Sequence, residues 1–188
     1  MIPYEFNAER FSRWMAYVLR HNPERYGLQI DRHGYVDVEE FLGIARQRYP
    51  DLNPAQLRDL IASSETARFE LIGNRVRARY GHSIPVEPVG PPVEPPAHLY
   101  YGTDAGRLEP LLADGLNPVD RRMLHLSTTR DEALAIARRK TGQPAVIMIL
   151  ALAAHRGGVS FYTEGAVYLA SHIPARFLQQ EPLPANSS

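Results

Sequence analysis

Six prolines stand in the fifteen residues from Ile84 to His98, at positions 85, 88, 91, 92, 95 and 96. They constrain the fold more than any other feature. Each lacks an N–H and is held at a φ of about −65°, so the stretch can be neither helix nor inner strand. It reads as a semi-rigid, extended linker. The chain then divides into residues 1–83 and residues 99–188, each long enough to bury a small core of its own.

The N-terminal part reads as helices followed by a hairpin. Phe11, Trp14, Met15, Val18 and Leu19 recur with the spacing of one buried helix face, Asn7 is a fitting N-cap, and Pro23 stops the helix at Asn22. Arg20 and His21 fall in its last turn, where cations also favour the helix dipole. Leu28–Ile30 and Tyr35-Val36 read as extended pieces around an Arg32-His33-Gly34 turn. Asp37 with Glu40 forms a capping-box pattern ahead of Val38, Phe41, Leu42 and Ala45. Asn53-Pro54 opens a third helix that buries Leu57, Leu60 and Ile61. Phe69–Ile72, a Gly73-Asn74 turn and Arg75–Tyr80 then make a hairpin, completing a winged-helix-like order. In its second strand Arg75, Arg77 and Arg79 share one face, and Val76, Ala78 and Tyr80 the other. Three arginines without an interleaved acid leave two readings open, a solvated strand face or an anion contact.

The C-terminal part is mixed, with strands at Leu99–Thr103, towards Ser127, at Ala145–Leu152 and at Val167–Leu169 after Phe161-Tyr162. Helices are expected near Gly106–Asp114, closed by Gly115, and over Asp131–Lys140 with Ala133, Ile136 and Ala137 inward. The class is α+β.

Composition removes several functions. There is no cysteine, so disulfides, thiolate metal sites and cysteine nucleophiles are excluded. The seven histidines show no pairing at i+3 or i+4 on a helix, and no metal is expected. Twenty-one basic residues balance 21 acidic ones, so phosphate recognition has to be local rather than a general basic coat. All the basic residues but Lys140 are arginine, whose planar fork suits phosphate. Met1–Asn7 does not look like a leader, and the ten-residue apolar run Ala145–Ala154 is too short to span a bilayer. A cytoplasmic monomer without membrane contact is expected. Gly-x-Gly-x-x-Gly, P-loop and Gly-x-Ser-x-Gly patterns are missing. What remains is a constellation of arginines with one histidine: Arg20, His21, Arg77 and Arg121.

Several segments, taken in order, resemble the NAD-dependent RNA (tRNA) 2′-phosphotransferases, the family associated with tRNA splicing. They are Leu19-Arg20-His21-Asn22-Pro23, Gly34-Tyr35-Val36-Asp37-Val38 and Val76–Ser83. Leu99-Tyr100-Tyr101-Gly102-Thr103, Leu124-His125-Leu126-Ser127, Phe161-Tyr162 and Val167-Tyr168-Leu169 follow. The resemblance implies two lobes, an N-terminal winged-helix RNA-binding domain and a C-terminal ADP-ribosyltransferase-like domain that binds NAD. It implies an enzyme that moves an internal RNA 2′-phosphate onto NAD through a 2′-phospho-ADP-ribosylated RNA, releasing nicotinamide, 2′-OH RNA and ADP-ribose 1″,2″-cyclic phosphate.

By the same resemblance Arg20, His21, Arg77 and Arg121 form the catalytic set. Arg122 is adjacent, but Arg121 keeps the four-residue spacing to His125. Tyr101, Gly102, Thr103, His125, Leu126 and Ser127 would line the NAD pocket. The partners implied are NAD and a tRNA-like RNA carrying a 2′-phosphate. Two departures stand out. Tyr101 occupies a position where many members carry histidine, and the Thr163–Ala166 loop is about one residue short and lacks an asparagine. Glu164 is expected to be a loop carboxylate. Two other functions remain open, ADP-ribosylation of nucleic-acid 5′-phosphate ends and a non-catalytic winged-helix module beside a degenerate NAD lobe.

Overall fold

The computed structural model describes residues 6–64 and 67–181. Met1–Glu5, most of the stretch read for a leader, lie outside them. The described residues form a mixed α/β fold with six α-helices and three small antiparallel sheets. The chain separates into two compact units, up to Pro88 and from Val89 onwards. Among the described residues no helix is long and apolar enough to cross a membrane.

In the first unit α1 (Ala8–His21) is capped by Asn7, whose side chain accepts the Arg10 N–H at 2.8 Å. The β1 strand (Val36–Asp37) leads into α2 (Val38–Ala45), with Asp37 accepting the N–H groups of Glu39 and Glu40. Asn53 and Gln56 form a reciprocal box at the start of α3 (Pro54–Ala62). The hairpin is β2 (Phe69–Ile72) and β3 (Arg75–Ala78), and the sheet order is β1-β3-β2. Phe11, Met15, Val18, Leu19, Phe41, Leu42, Leu57 and Val76 make the core. Phe11 meets Tyr49 edge-on at 5.1 Å, and Trp14 lies 5.9 Å from Phe41. Leu60 and Ile61 are only partly buried, because the short α3 turns just Leu57 fully inward.

The second unit holds β4 (Leu99–Asp104), α4 (Leu108–Asp114), β5 (Leu124–Leu126) and α5 (Arg130–Arg138). Then come β6 (Pro144–Ile149), α6 (Ala151–Arg156), β7 (Tyr162–Glu164), β8 (Val167–Ala170) and β9 (Leu178–Gln180). Its sheets are ordered β4-β6-β9 and β5-β8-β7. The apolar run expected as one strand to Leu152 is two elements. The strand stops at Ile149, and Ala151-Leu152-Ala153-Ala154, strong helix formers, turn into α6. Ile136, expected inward, is 39% exposed. Ala133 and Ala137 are the residues of α5 that face the sheet, and their small size lets the helix sit against β4.

Candidate functional site

The first unit builds one half of the predicted set at the C-terminus of α1. The last carbonyls of a helix lack internal partners. Here the Ser83 N–H donates to the Arg20 carbonyl at 3.0 Å, while Ser83 Oγ lies 2.8 Å from His21 Nδ1. The Arg20 guanidinium lies over the Tyr80 ring, 5.2 Å from its centroid. The segment after β3 therefore clasps the end of α1, which itself packs on β3. Arg20 and His21 are both partly buried.

The three hairpin arginines do share one face, but it is not an unpaired cationic stripe. Arg77 is only 2% exposed, and its Nε donates to Glu70 Oε2 at 2.7 Å. Arg79 approaches the other Glu70 oxygen at 3.4 Å, and Arg75 pairs with Asp31. The Tyr35 hydroxyl donates to Glu70 Oε2 at 2.6 Å, and its ring lies 4.7 and 5.1 Å from the Arg75 and Arg77 guanidinium carbons. Acids that β3 itself lacks come from the neighbouring strand and the Asp31 turn. The solvated-face reading is thus wrong at Arg77, which is held by Glu70 directly opposite it in the hairpin register.

Charge follows this geometry. Burial would raise the Glu70 pKa, but the Tyr35 hydroxyl and the Arg77 and Arg79 cations outweigh it and hold the carboxyl below its ordinary range. Burial and the bond to Glu70 push the Tyr35 phenol up. At Asp31 burial is likewise outweighed, by the N–H groups of Tyr35 and His33 and then by Arg75, so its pKa falls.

In the second unit the segments expected to hold NAD come together where two sheets abut. Tyr100 and Ser127 exchange backbone hydrogen bonds of 2.9 Å in both directions, placing the end of β5 beside β4. Thr103 and Ser127 are buried polar side chains, each 8% exposed. His125 is partly buried, and Tyr101 packs partly buried against the unit's core. Two of the six candidates are otherwise occupied. Leu126 is a core side chain. Gly102 faces α5, where an added Cβ would come within 2.1 Å of the Ala133 carbonyl oxygen.

Arg121 lies in the irregular segment between α4 and β5, partly buried. Partial desolvation and then the positive charge of Arg121 lower the Lys140 pKa, while Asp120 opposes. Arg20, His21 and Arg77 belong to the first unit and Arg121 to the second. Glu164 is not a loop carboxylate, since it ends β7 and is 5% exposed. Pairing in a two-residue hairpin, Glu164 opposite Val167, draws it into the sheet.

Sequence reasoning passed over Glu70, Tyr35 and Asp31 as partners of the arginines. The register signal for Glu70 was present, because a two-residue turn at Gly73-Asn74 sets residue 70 opposite residue 77. Asp31 and Tyr35 carry no such signal, since they reach the arginines from outside the hairpin.

The family model described as "RNA 2'-phosphotransferase, Tpt1 / KptA family" matches residues 7–172. A protein of Agrobacterium fabrum named "Probable RNA 2'-phosphotransferase" is 41% identical over 170 residues, 89% of this chain and 91% of that protein. One of Burkholderia lata with the same name is 40% identical over 184 residues, 95% and 94% of the two chains. "Probable RNA 2'-phosphotransferase 1" of Archaeoglobus fulgidus is 34% identical over 182 residues, 96% and 84% of the two chains. With a family model spanning most of its length and relatives matched almost end to end, the chain belongs to the RNA 2′-phosphotransferase, Tpt1 / KptA family.

Proposed function

We propose that this chain removes an internal 2′-phosphate from RNA by transferring it to NAD, using an N-terminal winged-helix lobe and a C-terminal ADP-ribosyltransferase-like lobe. The observation that carries the reading is the clasp at the end of α1. Through Ser83 and Tyr80 it ties Arg20 and His21 to the strand that bears Arg77. Arg121, in the second unit, is the fourth member of the set. NAD is a substrate here. Tyr101, Thr103, His125 and Ser127 would hold it with their side chains, while Gly102 and Leu126 offer only backbone.

In the first step an oxygen of the RNA 2′-phosphate attacks C1″ of the nicotinamide ribose. The C1″–N bond breaks and nicotinamide leaves with the electron pair, so no general acid is needed. In the second step ribose O2″ attacks the phosphorus and the P–O2′ bond breaks. This yields 2′-OH RNA and ADP-ribose 1″,2″-cyclic phosphate. The proton lost by O2″ ends on O2′, and His21 is the group suited to assist its passage. Arginine forks supply positioning and stabilise charge on the phosphate oxygens without a metal. Burial of Arg77 strengthens its field on such a charge, and Glu70 holds the fork by Nε.

The test is incubation with NAD and a short RNA bearing one internal 2′-phosphate, with products resolved by mass. Loss of phosphate together with ADP-ribose cyclic phosphate supports the proposal. Unchanged RNA overturns it. An RNA with a 5′-phosphate and no 2′-phosphate tests the alternative ADP-ribosylation, which would leave ADP-ribose on the product. A non-catalytic winged-helix module beside a degenerate NAD lobe would leave both RNAs unchanged.

A further inference from the structure

The proposed function assigns His21 to the substrate but leaves open what orients its ring. A histidine at the end of a helix can rotate about χ1 and χ2, and either ring nitrogen can be the donor. We propose that Ser83 is the positioning residue for His21. Its hydroxyl holds Nδ1 and thereby makes Nε2 the nitrogen that meets the substrate. This inference rests on the catalytic reading of His21 given above.

Two bonds from one residue carry it. The Ser83 N–H donates to the Arg20 carbonyl at 3.0 Å, which fixes the serine's place relative to the helix end. From that anchor Oγ reaches His21 Nδ1 at 2.8 Å, across 62 residues of sequence. A hydroxyl suits the task because it can serve both protonation states. Toward a neutral ring it accepts from Nδ1–H, which leaves the lone pair on Nε2 to take the proton of O2″. Toward a charged ring it still accepts from Nδ1–H. His21 can therefore gain and lose a proton without releasing its anchor, as the second step requires of a group that assists the transfer from O2″ to O2′. Arg20 is set by the same segment through the Tyr80 ring, so the arginine and histidine are oriented together.

The experiment compares Ser83→Ala and Ser83→Thr, each alone and combined with His21→Ala, in single-turnover dephosphorylation of a 2′-phosphorylated RNA with NAD and excess enzyme. Alanine keeps the backbone bond to Arg20, so the helix end is preserved. Ser83→Ala is expected to slow turnover by about 3- to 10-fold, the range of one lost hydrogen bond, and threonine to restore it. On the His21→Ala background Ser83→Ala is expected to cost nothing further, the signature of a residue acting through its partner. The imidazole Nδ1 resonance of His21, read by 15N NMR without any turnover, should move in Ser83→Ala and be kept in Ser83→Thr.

Equal losses from Ser83→Ala on both backgrounds, or an unmoved Nδ1 resonance, would overturn the inference while leaving the catalytic reading in place. Wild-type turnover by His21→Ala would instead defeat that reading, and the inference with it.

Discussion

At the scale of single residues, Arg20, His21, Arg75, Arg77 and Arg79 of the first unit each meet a named partner. The proposed function gives Arg77 and Arg121 to the phosphate, and removing one such donor from a preorganised site costs about 100- to 1000-fold in rate. Arg77→Ala and Arg121→Ala should each slow the second step by that order, so RNA carrying ADP-ribose should build up when products are resolved by mass. Glu70 makes a separate prediction. Its carboxyl pKa is held below the usual 4.5 by Tyr35, Arg77 and Arg79 against the upward push of burial. A depressed folded-state pKa stabilises the fold above the unfolded value, and that contribution is lost as pH falls through the folded value. Denaturant unfolding followed downward from about pH 5 should therefore lose stability steeply in the native chain and less steeply in Glu70→Gln. Asp31, depressed in the same sense, leaves part of the slope in place.

At the scale of elements, β4 packs tightly on α5 in the second unit. Gly102 permits it, since a methyl there would lie 2.1 Å from the Ala133 carbonyl oxygen and 3.2 Å from Ala137 Cβ. Backbone cannot retreat as a flexible side chain can, so Gly102→Ala should force strand and helix apart. A loss of about 1–3 kcal/mol is expected from such overpacking, read as a lower denaturant midpoint. Helix α3 tests a milder case. Asn53 and Gln56 satisfy each other's backbone N–H groups at 3.0 Å in both directions, and Asn53→Ala should cost about 1 kcal/mol. Caps and helix starts were legible because they depend on neighbouring residues alone. The split of 145–152 into strand and helix was not, since an apolar run has no period by which to tell the two apart.

At the scale of the whole molecule, the two units have separate cores: the buried cluster of the first ends at Ala78, and that of the second begins at Leu99. Phe41 is fully buried in the first, and Phe41→Ala should cost about 3–5 kcal/mol. Hydrogen exchange followed by mass spectrometry should accelerate across residues 8–78 in that variant and stay unchanged across 99–180. The amino-acid sequence by itself determined most of this organisation. Six prolines interrupt regular structure between the units, 3.6-residue periods place the helices of the first, and the Gly73-Asn74 turn sets the hairpin register. These are local effects, carried by residues a few positions apart. Only the tertiary structure decided that Arg75 is paired with Asp31, that Gly102 serves a helix seam, that Glu164 is buried, and that Ser83 reaches His21. The physical reason is common to all four. Each depends on which distant side chain or backbone fills the adjacent space once the core has formed, and sequence spacing does not encode that distance.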